Sequence, residues 1–94
     1  SALEIDSQHE FPELLTNDAW RALAMRRGLS QRELEVLRLL CRGLHSPRIA
    51  AVLKIEMPTL RTHLRSIFRK MQCRGRIQAV LQALHDGDNY HRLG

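Results

Sequence analysis

Cysteine is scarce in this chain, with Cys41 and Cys73 the only two in 94 residues. Two thiols are too few for the disulfide framework of a small secreted domain, so a reducing cytoplasm is the simplest setting. No apolar run approaches the roughly 20 residues that a membrane-spanning helix needs. No signal peptide opens the chain. It begins at Ser1 rather than Met, as expected of a trimmed chain or of one domain of a longer protein. Catalytic patterns are missing as well: no grouping of serine, histidine and acid, no nucleophile elbow and no glycine-rich phosphate loop. No catalytic residue is therefore assigned, and an enzyme is not expected. Cys41 and His45 stand four apart, but no second pair at zinc-site spacing completes a ligand set. No metal and no cofactor are expected.

Acid is missing from one particular place. Between residues 61 and 76 stand Arg61, Arg65, Arg69, Lys70, Arg74 and Arg76 without a single Asp or Glu. The formal charge of +5 hides a division between the ends. Residues 1–20 carry Glu4, Asp6, Glu10, Glu13 and Asp18 and no Lys or Arg; all 15 bases and the other five acids follow. Like charges packed this densely repel one another, and a bound polyanion relieves that cost. The length suits one small domain with a modest core.

What is present reads as helices. Residues 1–17 lack a sustained period and contain Pro12, which suggests an acidic linker or arm, although Phe11, Leu14 and Leu15 could dock. Asn17 or Asp18 can cap a short accessory helix over 18–28, with Trp20 as its anchor and Gly28 at its end. Ser30 and Glu33 form a capping box, in which each side chain serves an otherwise unpaired amide. Leu34, Leu37, Leu40 and Cys41 then recur at helical spacing up to Gly43, so Cys41 reads as a buried, inert thiol. Ser46 can cap a helix about two turns long, with Pro47 at its first position and Ile49, Ala50 and Leu53 inward.

"MPTLRTHLRSIFRK", Met57 to Lys70, is the next helix. At about 100° per residue, Leu60, Leu64, Ile67, Phe68 and Met71 cluster on one side, while Arg61, Arg65 and Arg69 fall at about 100°, 140° and 180° from Leu60. One face is core and the other cationic. A last helix over about 75–85 is expected to bury Ile77, Val80, Leu81 and Leu84, leaving residues 86–94 as a fraying tail. Two short helices joined by a tight turn, the second basic on its outward face, have the geometry that sets a recognition helix in the DNA major groove.

Leu29 to Leu84, "LSQRELEVLRLLCRGLHSPRIAAVLKIEMPTLRTHLRSIFRKMQCRGRIQAVLQAL", resembles the LuxR/GerE type of helix-turn-helix domain of bacterial transcription regulators. The elements "RE.EVL.LL..GL", "IA..L.I", "TL.TH...I..K" and "R.QAV" stand at that family's separations. The resemblance implies an all-α, four-helix domain over residues 29–85, here with an additional short N-terminal helix. Its third helix enters the major groove and its fourth commonly forms a homodimer. Carried over by position, Arg61, Thr62 and Arg65 would face bases. Thr59, Arg69 and Lys70 would lie near phosphates, with Ser46 and Arg48 as further phosphate contacts, and His63 would serve packing and hydrogen bonding.

Two departures stand out. "HSPR" replaces the usual Ser-Asn-Lys-Glu run, which moves the cap to Ser46 and puts Arg48 where a glutamate is usual, and Glu56 stands where a serine commonly caps the recognition helix. Gln78, Ala79, Gln82 and Ala83 lie off the apolar stripe of the last helix, and the small residues there suit a two-fold contact that forms weakly or only on DNA. The expectation is a cytoplasmic, dimeric, sequence-specific binder of double-stranded DNA with no membrane contact. The alternatives are a domain like region 4 of a sigma factor, which would have RNA polymerase as a partner, and an interaction module for an acidic protein.

Overall fold

The computed structural model describes residues 11–93. The first ten residues, including Glu4, Asp6 and Glu10 of the expected arm, lie outside the described residues. Among those described there are five helices and no strand: α1 (Asn17–Arg27), α2 (Gln31–Cys41), α3 (Ser46–Leu53), α4 (Met57–Lys70) and α5 (Arg76–Leu93). The all-α expectation with an added N-terminal helix holds.

The core gathers around residues that helical spacing brings inward: Trp20 and Leu23 from α1, Val36, Leu37 and Leu40 from α2, Ile49 from α3, and Leu60 and Ile67 from α4. α2 is central, touching the other four helices. It starts as the capping box requires, with the Glu33 N–H donating to Ser30 Oγ at 3.1 Å and the Ser30 N–H donating to Glu33 Oε1 at 2.8 Å. α1 is capped one residue earlier than expected. Thr16 Oγ1 accepts from the Ala19 N–H at 3.1 Å, while Asn17 Oδ1 accepts from Arg38 on α2 at 3.0 Å. Gly28 closes α1 at φ 72°, a left-handed geometry that glycine adopts without a side-chain clash.

Residues 11–16 are not a solvated linker. The Phe11 N–H donates to the Arg42 carbonyl at 2.9 Å, and Arg42 Nε returns a bond to the Phe11 carbonyl at 3.1 Å. Leu15 is buried. Glu13 accepts from Trp20 Nε1 at 3.0 Å and from Arg38 at 3.1 Å, and the Arg38 guanidinium lies 5.7 Å from the centre of the Trp20 ring. A fully buried indole needs a partner for its N–H, and Glu13 supplies it.

α5 departs most from the sequence reading. It runs on to Leu93, so residues 86–93 are helix rather than tail, and it turns the other face inward. Ala79 and Ala83 are buried, whereas Ile77 is 74% exposed, Leu81 60% and Leu84 37%. The cause is the closeness of α1 and α2. Ala79, Ala83 and the buried Gly87 recur every fourth residue and make a flat face that lets the helices approach. An added Cβ at Gly87 would collide with Leu15. Asp86 is buried on this face and accepts from Nε and Nη2 of Arg27, at 2.9 and 3.0 Å. The proposed dimer residues Ala79 and Ala83 are therefore core residues, unavailable to a second copy. Gln82 is half-buried and donates to Asp86 at 3.1 Å, and only Gln78 of the four is exposed.

Candidate nucleic-acid interface

The sequence between α3 and α4 forces a tight reversal. Leu53 ends α3, and Lys54 takes the left-handed conformation, φ 57° and ψ 47°. The Ile55 N–H then reaches back to the Ala50 carbonyl at 3.0 Å, satisfying an otherwise unpaired group at the helix end. Glu56 is extended and α4 begins at Met57, so residues 54–56 make the whole turn. Neither helix of the pair has a side-chain cap: His45 precedes α3 and Glu56 precedes α4, each without such a bond. Proline at the second position of both removes one amide that would need a partner.

Ser46 is thus not a cap, as the sequence suggested, but the first residue of α3. Its hydroxyl is turned away from the helix amides and accepts from Arg76 Nη2, on α5, at 2.7 Å. The carbonyl of His45 serves the Arg48 and Ile49 amides instead, at 3.0 and 3.1 Å. Arg48 is exposed.

α4 divides as its periodicity requires. Leu60 and Ile67 are fully buried, Met71 just past its end is buried too, and Leu64, Phe68 and His63 are half-buried. Thr59, Arg61, Thr62, Arg65 and Arg69 are exposed. Thr62 donates its hydroxyl proton to the Pro58 carbonyl at 3.1 Å, which leaves the oxygen lone pairs outward as acceptors. Arg61, Arg65 and Arg69 share no ion pair with any described carboxylate. Three guanidinium groups therefore stand on one exposed face with their charge unopposed.

Lys70 is different. Its ammonium donates to Glu33 Oε1 at 2.7 Å, joining the end of α4 to the start of α2. The expected phosphate contact is committed inside the protein, a pairing across 37 residues that no local pattern signals. Burial pushes the Glu33 carboxyl up, but the Lys70 ammonium, the Ser30 amide and the Ser66 hydroxyl together outweigh burial and hold it at about 2. A carboxylate with a depressed folded value contributes stability above its ordinary value of 4.5, and that contribution is lost as pH falls toward about 2. Glu33→Gln is expected to cost about 1–3 kcal/mol at neutral pH and to flatten the acid limb. The check is urea unfolding at intervals from pH 6 to pH 2. Asp86 still titrates in the variant, so the difference between the two curves is the quantity of interest; parallel curves would show that Glu33 carries no such linkage.

Both cysteines are free thiols. Cys41 is buried and its thiol is pushed up to about 12, chiefly by burial, and burial also raises Cys73. Among the described residues no group of three or more His, Cys, Asp or Glu is placed to hold a metal, and no helix is long and apolar enough to cross a membrane.

Residues 27–83 match the family model of the bacterial regulatory proteins of the luxR family. The nitrate/nitrite response regulator protein NarP of Escherichia coli (strain K12) is 42% identical over 53 residues, covering 56% of this chain and 25% of that protein. The response regulator protein VraR of Staphylococcus aureus (strain Mu3 / ATCC 700698) is 36% identical over 55 residues, covering 58% of this chain and 26% of that protein. The chain thus spans about a quarter of the length of these curated relatives. No solved structure matches it significantly. With the helical pair, its three-residue turn and the cationic outer face of α4 all falling inside the matched segment, the chain belongs to the luxR family of bacterial regulatory proteins.

Proposed function

We propose that this chain is the DNA-binding part of a transcription regulator rather than an enzyme, working in the bacterial cytoplasm and reading double-stranded DNA with α4 in the major groove. The observation that carries this is the face of α4 on which Arg61, Arg65 and Arg69 stand exposed and unpaired with acid, backed by a helix side sunk in the core. A helix held this rigidly loses little freedom on binding, and its cations gain by displacing ions from a polyanion. Arg61, Thr62 and Arg65 meet base edges. Thr59 and Arg69 meet phosphates, with Ser46 and Arg48 at the start of α3 against the backbone that this helix crosses. Two copies meet through the outward face of α5, at Ile77, Leu81 and Leu84.

Two substitutions test this assignment. A bidentate arginine on guanine is worth about 1–3 kcal/mol of discrimination, so Arg61→Ala should relax sequence preference at one base pair of each half-site. Arg69→Ala should weaken all sequences alike and make the dependence of affinity on salt shallower by about 0.9 per protomer. Selection from random duplexes gives the preference, and a salt titration gives the slope. If both variants lose affinity uniformly with the preference unchanged, the arginines are a general polyanion grip. Binding to purified duplex without polymerase separates this reading from a sigma-factor region, and failure of an acidic polypeptide to compete separates it from an acidic-protein module.

A further inference from the structure

We infer that Arg76, at the start of α5, is a backbone-phosphate ligand of the DNA interface, held in place for it by Ser46 of α3. The inference rests on the DNA-binding reading above and extends it to a helix outside the helix-turn-helix pair. Several cations in the described chain tie one segment to another through side chains. Arg27 ends on Asp86, Arg38 on Glu13 and Lys70 on Glu33, and each is neutralised where it lands. Arg76 ends on a hydroxyl. Its Nη2 donates to Ser46 Oγ at 2.7 Å, and it forms no ion pair with a described carboxylate. A guanidinium has five N–H donors, so this bond fixes its position while leaving its charge and most of its donors available.

The place where it is fixed decides what those donors meet. Ser46 and Arg76 are the first residues of α3 and α5, where both helix dipoles already make the potential positive. Arg74 stands exposed two residues before Arg76. An arginine anchored at such a point is held against repulsion, which an anion would reverse. The first helix of a helix-turn-helix pair crosses the DNA backbone, so the phosphate nearest the start of α3 is the anion within reach. Because α5 also carries the exposed Ile77, Leu81 and Leu84, the same helix that is proposed to join two copies grips the backbone of each half-site. In the sequence Arg76 is one more base in a run and the first residue of the element "R.QAV"; the bond to Ser46, thirty residues away, shows where its guanidinium is held.

The test uses the whole chain, a random-sequence duplex and a duplex selected for tight binding, each titrated over a range of salt. Arg76→Gln should lower affinity for both duplexes roughly five- to tenfold and make the salt dependence shallower by about 0.9 per protomer. Ser46→Ala keeps the charge, so it should leave the slope unchanged, cost roughly two- to threefold, and cost less than that once Arg76 is glutamine, the remainder being the Ser46 hydroxyl's own contact with the backbone. An unchanged slope in Arg76→Gln overturns the inference, and a lowered melting temperature with that unchanged slope would assign Arg76 to holding α5 against α3. Arg69→Ala is measured alongside. If it shifts the slope and Arg76→Gln does not, this inference alone fails; if neither shifts it, the placement of α4 against the DNA backbone fails as well.

Discussion

Arg27→Ala is expected to destabilise the folded chain by about 3 kcal/mol, because it strands the Asp86 carboxylate in the interior. Asp86 is 3% exposed as a residue, and the guanidinium approaches it with two bonds of 2.9 and 3.0 Å. Burial alone would raise the carboxyl, but the bonds from Arg27 and Gln82 and the charges of Arg27 and Arg26 leave it below its ordinary value. The pair therefore contributes above the ordinary carboxylate range and is lost as pH falls through the depressed value. At about 4–8 °C per kcal/mol for a domain of this size, the melting point should drop by roughly 12–24 °C. Arg27→Met combined with Asp86→Leu should recover most of the loss, since the cost comes from the uncompensated charge rather than from losing the attraction. Urea unfolding of the two variants beside the unchanged chain decides it: a loss below about 1 kcal/mol in Arg27→Ala would mean that water already reaches Asp86.

That pair also explains how the domain closes. The matched family segment runs over residues 27–83, so nearly all of α1 and the last three turns of α5 lie outside it. These flanks pack on each other, with Leu15 against Gly87 and Arg27 on Asp86. The extra helix and the extension of α5 are one structural unit laid against the helix-turn-helix core, and each needs the other to cover its inward face.

What could be read from the sequence follows the range of the interaction. The Ser30–Glu33 capping box is complete within four residues, and it stands as expected. α4 was legible because its inward residues are large and its outward residues charged, so size and polarity agree. In α5 they disagree. Ile77, Leu81 and Leu84 are bulky and apolar, and a hydrophobicity pattern assigns them to the core. The helix instead buries Ala79, Ala83 and Gly87 because the space left by α1 and α2 admits only small side chains. That space belongs to the tertiary arrangement and leaves no trace in local periodicity. The same holds for the cross-helix ties, Lys70 to Glu33 and Arg76 to Ser46, each of which changes what a basic residue is free to do.

Leu81→Asp is expected to reduce affinity for a duplex with two half-sites by roughly 100-fold while leaving a single half-site within about twofold, the lower range of the gain from tethering two binding events. The inverted face of α5 is the reason. Ile77, Leu81 and Leu84 recur at intervals of four and three residues, which puts them on one stripe of the helix. Leu81 borders a shallow, mostly apolar groove of about 290 Å³, shared with Leu40, Gly43, Ile77 and Val80 and edged by Arg76. A two-fold axis through this stripe would set the same residues of each copy against one another, so one aspartate per chain becomes two facing charges in a contact that excludes water. Leu81 is 60% exposed in the single chain, and its replacement should leave the melting point nearly unchanged. Ala79→Glu makes the contrast, because Ala79 is fully buried and a carboxylate there should unfold the domain and abolish binding to both duplexes. Titration of one- and two-site duplexes with each variant, beside its melting curve, gives the answer: equal losses on the two duplexes for a folded Leu81→Asp chain would remove this face of α5 from the assembly.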